Sequence, residues 1–214
     1  MSMGIKYHLG CGLNYFPGYT NIDYPQSEHT IIAVKADIYS DLMTVKLEPC
    51  ELIESHHVFE HFSYIESLAL LVKWTRVLVI GGVLRIDIPD IEVLCQELGT
   101  SITAKDHRRV FKIVRLLYGS HEAEWAFHIN GWSMGTLSYT MDRFGFSIVS
   151  SERYGSRNAA FPNCGLNMVF NKTREDVDLE AVARDLLSFY TDIPDQQNLL
   201  NEFQKQFTIL MGKI

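Results

Sequence analysis

The sequence predicts an α/β protein: a mostly parallel sheet with helices on both faces, followed by C-terminal helices. Two observations carry this. Short apolar segments alternate with longer segments of helical periodicity, the order expected when crossover helices join parallel strands. Nearly every distinctive residue also falls at the carboxyl end of a short segment, where open sheets of this kind bind ligands.

Taken in order, residues 5–9 (IKYHL) run into Gly10-Cys11-Gly12 and read as a strand closing in a tight turn. Residues 19–23 and 31–36 are expected as strands two and three, ending on Asp23 and Asp37, with 51–55 as strand four. Residues 62–80 are helical, because Leu68, Leu71, Val72, Thr75 and Leu78 or Val79 recur at three- and four-residue spacing. Gly81-Gly82 is expected to stop that helix. Strand 83–88 (VLRIDI) ends at Pro89-Asp90; Asp90 suits the cap of a helix over 91–99, which Gly99 terminates. Residues 101–131 show no clear period and read as an insertion over one edge of the sheet, carrying His107, His121, His128 and Trp125.

From Ser133 a capped helix presents Leu137, Met141 and Phe144 on one side and ends at Gly145. Strands 146–151 and 166–171 follow with no helical pattern between them, so the last strand is expected to be antiparallel. Two amphipathic patterns, 176–190 and 195–211, are expected to pack on their own domain; dimerisation or a lid is the alternative. The expected division is a domain over 1–172, with the insertion at 101–131, and a helical extension over 173–214.

Composition narrows the function. The chain has 214 residues, 47% hydrophobic and 21% charged, ordinary for a globular protein with a sizeable core. A net charge of -7 argues against a broad nucleic-acid footprint. The four cysteines (11, 50, 95 and 164) form no C-x-x-C pair, so reduced thiols are expected. The most apolar region, 68–88, is broken by Lys73, Arg76, Arg85 and Asp87, which rules out a comfortable membrane span. With no signal-peptide pattern at residue 1 onward, a cytoplasmic protein is expected.

HVFEH at 57–61 matches the H-x-x-E-H signature of zinc peptidases. On one helix His57 and His61 would face the same way and Glu60 would activate a zinc-bound water. That reading needs both histidines well inside a helix and a third ligand; here the expected helix has barely begun, and Ser55 precedes on a strand. Elsewhere, Gly10 and Gly12 let the backbone approach a ligand, but Tyr15 replaces the third glycine of G-x-G-x-x-G, which disfavours a nicotinamide dinucleotide. Asp23 can accept from both hydroxyls of a ribose, and Asp37 can accept from an adenine amino group or cap a turn.

The ordered series HLGCG (8–12), GYTNID (18–23), ADI (36–38), SHHVFEH (55–61), GGVLRIDIPD (81–90), GWSMGTL (131–137) and FGF (144–146) resembles class I S-adenosylmethionine-dependent methyltransferases of a compact bacterial kind, over residues 4–172. The resemblance implies a Rossmann-like seven-stranded sheet with a reversed last strand. It implies that Gly10, Cys11 and Gly12 border the methionine part of S-adenosylmethionine, Asp23 the ribose, Asp37 with Ile38 the adenine, and that Ser55 and His56 line the cofactor. Two departures stand out: His8 replaces an acid common in the family, and the link from Gly12 to Asp23 is too short for a normal first helix.

Methyl transfer from a sulfonium needs an acceptor held in line, about 3–3.5 Å away, and a base only where the acceptor is a poor nucleophile. The candidates for that base are His57, Asp90 and His128; the alternatives are packing for the histidines and helix capping for Asp90. Trp125, Phe127 and Trp132 suit either a stacked sugar or aromatic acceptor, or the core. The leading expectation is a small-molecule or glycan methyltransferase. The rivals are a non-catalytic module that keeps the cofactor fold, and a zinc hydrolase or nicotinamide oxidoreductase. The product would be S-adenosylhomocysteine, and a homodimer through the C-terminal helices is a further possibility.

Overall fold

A computed structural model describes residues 4–25, 33–123, 125–155, 164–191 and 196–214. Seven strands form one sheet: β1 (Lys6–Leu9), β2 (Thr20–Asp23), β3 (Ile38–Tyr39), β4 (Cys50–His56), β5 (Leu78–Pro89), β6 (Phe146–Tyr154) and β7 (Gly165–Lys172). The helices are α1 (Tyr64–Val77), α2 (Ile91–Thr103), α3 (His107–Tyr118), α4 (Met134–Arg143), α5 (Leu179–Tyr190) and α6 (Gln197–Met211).

The sheet order is β3-β2-β1-β4-β5-β7-β6. β1 to β5 pair in parallel, whereas β7 runs antiparallel to both β5 and β6. The expected fold class is therefore the observed one, reversed last strand included. The order turns back at β1/β4, the switch point beside which such sheets bind ligands.

One face of the sheet is apolar. Tyr7 and Leu9 of β1, Ile53 of β4, Leu84 and Ile86 of β5, and Met168 and Phe170 of β7 are buried in a single core. Leu68, Leu71, Val72 and Trp74 of α1, Leu137 and Met141 of α4, Leu186 and Leu187 of α5, and Phe207 of α6 complete that core. The amphipathic stripes at the C-terminal end are thus packed within the same core as the strands. α2 and α3 join through a second, smaller cluster around Leu94, Ile113 and Cys164.

Helix ends follow local chemistry. Ser63 starts α1 and Ser133 starts α4, each in a reciprocal capping box, with Glu66 and Thr136 respectively. Asp90, Asp106 and Asp178 each accept a backbone N–H at the first turn of α2, α3 and α5.

Four expectations are corrected. Strand three is not 31–36: residues 31–32 lie outside the described set, 33–36 are irregular, and pairing begins only where Ile38 meets Ile22. Asp37 N–H donates to Asn21 O and sets where the chain joins β2. Gly81-Gly82 does not end α1, which already closes at Val77 ahead of the β-prone run Leu78-Val79-Ile80. Both glycines lie inside β5, where the register to β4 shifts, Gly81 has φ 79°, and Asn171 Nδ2 donates to Gly81 O. Gly99 lies within α2, which continues to Thr103 because packing against α3 extends it. The insertion is more regular than its sequence suggested, since residues 107–118 form α3.

The short link from β1 to β2 does lack a helix. The segment at 57–61 is also not part of α1: His57 has φ 53°, a single 3-10 turn covers Phe59–His61, and α1 starts at Tyr64.

Candidate functional site

The residues that alternate with the apolar face of the sheet are polar. The register aligns His8, Glu54 and Arg85 in one row and His56, Asp87 and Asn167 in the next. Glu54 is buried and accepts from Tyr19 Oη at 3.1 Å, from Arg85 at 3.3 Å, and meets His56 Nε2 at 2.8 Å. His56 Nδ1 lies 3.3 Å from Asp87 Oδ2. The bonds from Asp87 and Glu54 outweigh burial and raise the His56 pKa to about 9. His56 is thus a fixed cation between two carboxylates. Burial opposes charge on Asp87, but the bonds from His56 and Tyr154 prevail and hold its pKa below the usual value.

A cleft of about 540 Å³ opens above these rows, at the carboxyl ends of β4, β5 and β6. Asn14 and Phe16 border it from the β1–β2 loop, His56 and His57 from the end of β4, Asp87 from β5 and Tyr154 from β6. A smaller cavity of about 430 Å³ lies among Tyr64, Trp132, Tyr139 and Tyr190 and is lined by no strand residue. The cleft is the better candidate because charged and hydrogen-bonding groups converge there.

A chain of contacts crosses the cleft. Tyr154 Oη donates to Asp87 Oδ1, His57 Nε2 lies 3.1 Å from that same phenol oxygen, and His57 Nδ1 lies 3.2 Å from Glu60 Oε1. Because Tyr154 gives its one proton to Asp87, its oxygen is left to accept from His57 Nε2–H. Burial resists charge on the His57 ring, but the bond to Glu60 and the charge of Asp87 outweigh it, so its pKa is raised. Burial, with the bond to Asp87, pushes the Tyr154 phenol well above its ordinary value.

The other expected site residues are placed as follows. Gly10 and Gly12 have φ 64° and 51°. A Cβ on Gly10 would strike Val58 Cγ2 at 2.2 Å, whereas one on Gly12 would meet nothing within 4 Å, so only Gly12 borders open space. Asp23 Oδ2 accepts from Gly12 N–H at 2.7 Å and Oδ1 from Tyr24 N–H at 2.8 Å, which fixes a carboxylate that keeps unused lone pairs. Cys11 is buried, and burial raises its thiol to about 12.

Asp37 is more fully engaged: Oδ1 takes Tyr15 Oη, and Oδ2 takes both Asn21 N–H and Asn21 Nδ2–H. Ile38 stands at the start of β3. Ser55 alternates with His56, so its side chain turns to the apolar face, where its hydroxyl is buried without a partner among the described residues. His8 stacks on Phe16 at 4.0 Å and bonds Asn21.

Of the three base candidates, only His57 lines the cleft. Asp90 is fully buried, caps α2 through Glu92 N–H and accepts from Arg153 Nε at 2.8 Å. His128 Nδ1–H donates to Leu116 O, 2.8 Å away, and the ring lies beside Glu60 rather than in the cleft. The zinc-peptidase reading required His57 and His61 on one helix. The turn at His57 separates them, and His57 is absent from the candidate ligand group, which comprises Glu60, His61 and His128. Trp132 is in the core, stacked on Phe59 at 5.2 Å, while Trp125 and Phe127 are exposed.

Tyr154 was missed because its strand was expected to stop at residue 151. Asp87 is ion-paired with His56 on the strand and faces the cleft. Glu54 was read only as part of a strand. The usable signal was period-two alternation, which puts Glu54, His56, Arg85 and Asp87 on one face.

Comparison with known proteins bears on the fold. No protein-family profile matches the chain, and no curated protein is similar to it in sequence. Among solved structures it is similar to an S-adenosylmethionine-dependent methyltransferase from Methanosarcina mazei (TM-score 0.54, 13% identity, 82% of this chain and 95% of that one). It is also similar to the glycopeptide N-methyltransferase MtfA complexed with sinefungin (TM-score 0.51, 10% identity, 80% and 81%). LepI in complex with SAM is larger: the chain spans 43% of its length and 80% of its own (TM-score 0.49, 13% identity). Among the described residues no helix is long and apolar enough to cross a membrane. Strand order, reversed last strand and the cleft at the strand ends together give this chain the fold of the class I S-adenosylmethionine-dependent methyltransferases.

Proposed function

We propose that the chain binds S-adenosylmethionine and transfers its methyl group to a small-molecule or glycan acceptor. The observation that carries this reading is the Gly12–Asp23 pair. A glycine bordering open space donates its N–H to the carboxylate that ends β2, immediately beside the switch point of a methyltransferase-type sheet. The donor set fits an adenosyl ligand at the ribose, where Asp23 has lone pairs to spare. It fits less well at the base, because the Asp37 carboxylate already accepts three hydrogen bonds, two of them on Oδ2, against two on Asp23. Adenine recognition then falls to the backbone around Ile38.

Bound cofactor supplies a methyl group already activated by its sulfonium. The work of the chain is to hold ribose and acceptor, exclude water and manage one proton. Phe16, buttressed by the His8 ring, closes the cleft on one side. His57 and Tyr154 offer polar atoms on the other, and the exposed Trp125 and Phe127 of the insertion suit a sugar face.

The test is a thermal melt of the full chain with S-adenosylhomocysteine, using Asp23→Ala as control. At about 100 times its dissociation constant a ligand adds roughly 2.7 kcal/mol, or about 5–10 °C for a chain this size. The proposal expects that rise, lost in Asp23→Ala; no rise at millimolar ligand would refute it. For a hydroxyl acceptor, His57 must give up a proton before it can take one. Turnover should therefore rise with pH through its raised pKa, and His57→Ala should lose about 10²–10⁴-fold. A pH-flat rate that survives His57→Ala would mean an acceptor needing no base.

A second reading has specific support. Both His57 nitrogens are engaged and its raised pKa favours the protonated ring, as suits a module that binds the cofactor and transfers nothing. Cofactor binding without turnover on any hydroxyl, amine or carboxylate acceptor would favour it.

A further inference from the structure

The HVFEH segment and the insertion meet in a cluster that methyl transfer does not use. Glu60, His61 and His128 each offer one ligand atom, and the three atoms lie within 4.8 Å of one another. The two histidines come from separate parts of the chain, one in the 3-10 turn after β4 and one at the end of the insertion. Each ring is oriented in the same way. His61 Nδ1 lies 2.9 Å from Phe127 O and His128 Nδ1 lies 2.8 Å from Leu116 O. Each Nδ1 is therefore the N–H donor to a carbonyl, and each Nε2 carries the lone pair. This backbone clamp on the far nitrogen is the arrangement that fixes tautomer and aim in metal-ligating histidines.

The carboxylate provides an independent observation. Glu60 is 2% exposed, and its Oε2 is buried with no hydrogen-bond partner among the described residues. A buried, unsatisfied carboxylate oxygen costs about 1–3 kcal/mol or more, so it calls for a partner. His57 occupies the other oxygen at 3.2 Å, and His128 Nε2 stands 3.9 Å from it, too far for a hydrogen bond.

We propose that Glu60, His61 and His128 bind one divalent transition-metal ion, zinc by ligand type. Two imidazole nitrogens and one carboxylate oxygen suit zinc, with water at a fourth position, better than the all-oxygen sets of magnesium or calcium. A tetrahedral zinc with bonds of about 2.1 Å holds its donors about 3.4 Å apart, so the three side chains close by roughly an ångström on binding. Ile129 and Asn130 N–H both donate to Glu60 O, at 2.9 and 3.2 Å, so the two segments that carry the ligands are already joined. The ion would pin the insertion to the strand ends beside the cleft. It would also hold Glu60, and through Glu60 the ring of His57.

The experiment is zinc titration of the full chain, stripped with chelator and followed by calorimetry, with cobalt substitution as a spectroscopic check. Wild type should bind one equivalent of zinc and melt higher with zinc than with magnesium. His61→Gln and His128→Gln should each weaken zinc affinity at least 10-fold, while His121→Ala, in the same insertion, keeps it. Each variant is first checked for wild-type circular dichroism. Should both glutamine variants unfold, the wild-type titration and the cobalt spectrum decide. Wild type that binds no zinc at micromolar concentration overturns the proposal, as does zinc retained at full affinity in both glutamine variants. Neither result depends on cofactor binding, so the proposal can fail while the methyltransferase reading stands, and the reverse.

Discussion

The two faces of the sheet are built from the same strands and do opposite work. Ile53 and Glu54 are neighbours in β4, yet Ile53 enters the core under α1 while Glu54 joins Tyr19, His56 and Arg85 in a charged network. The same division separates Ile86 from Asp87 in β5 and Met168 from Asn167 in β7. One face is held by area removed from water, which is non-directional and tolerant of pH. The other is held by directional, charge-assisted bonds whose strength depends on protonation. Stability and chemistry are thereby divided by a two-residue period and not by domain.

Breaking the apolar face should have the largest effect. Phe170→Ala removes a fully buried ring between the sheet and the helical layer and should cost about 3–5 kcal/mol, read as a lower denaturant midpoint. A loss under about 1 kcal/mol would mean that this layer is loosely packed.

The polar face should respond to pH instead. The folded pKa of His56 is raised to about 9, so its contribution is complete below the unfolded value near 6.5 and fades as pH rises through 9. Glu54 and Asp87 have lowered folded pKa values; their contributions are present above the unfolded carboxylate range and are lost as pH falls through the folded values. Unfolding free energy should therefore drop between pH 6.5 and 9 by on the order of 2–3 kcal/mol, and His56→Gln should flatten that slope. If the slope survives in His56→Gln, another group is responsible.

The smallest effect sharpens the contrast. Val149 on β6 is 63% exposed, and Val149→Lys should change stability by less than about 0.5 kcal/mol. A larger loss would show that this stretch of the edge strand is covered in solution.

How much of this was legible in the sequence depends on how local the determining forces are. The capping serines and aspartates at 63, 90, 106, 133 and 178 mark helix starts in the structure. Two of these, Asp90 and Ser133, were read from sequence, because a cap is set within four residues of chain. The glycine signals failed where a distant strand intervened. Gly81-Gly82 reads as a helix stop in isolation, but pairing of β5 with β4 begins at Leu78 and draws both glycines into the sheet. α3 was missed because its apolar positions serve a small local cluster with α2, not the main core.

The site divides in the same way. Sequence alone determined the reversed last strand and the Gly10-Cys11-Gly12 turn followed by Asp23 at the end of the next strand, since periodicity and turn chemistry are properties of neighbouring residues. Only the tertiary structure decided that Asp90 is a buried cap paired with Arg153, that Tyr154 reaches Asp87 and His57 across 67 and 97 residues, and that His61 and Glu60 gather with His128 from the far end of the insertion. Those contacts depend on how the sheet twists and where the insertion returns. No window of sequence short enough to read by pattern contains both partners.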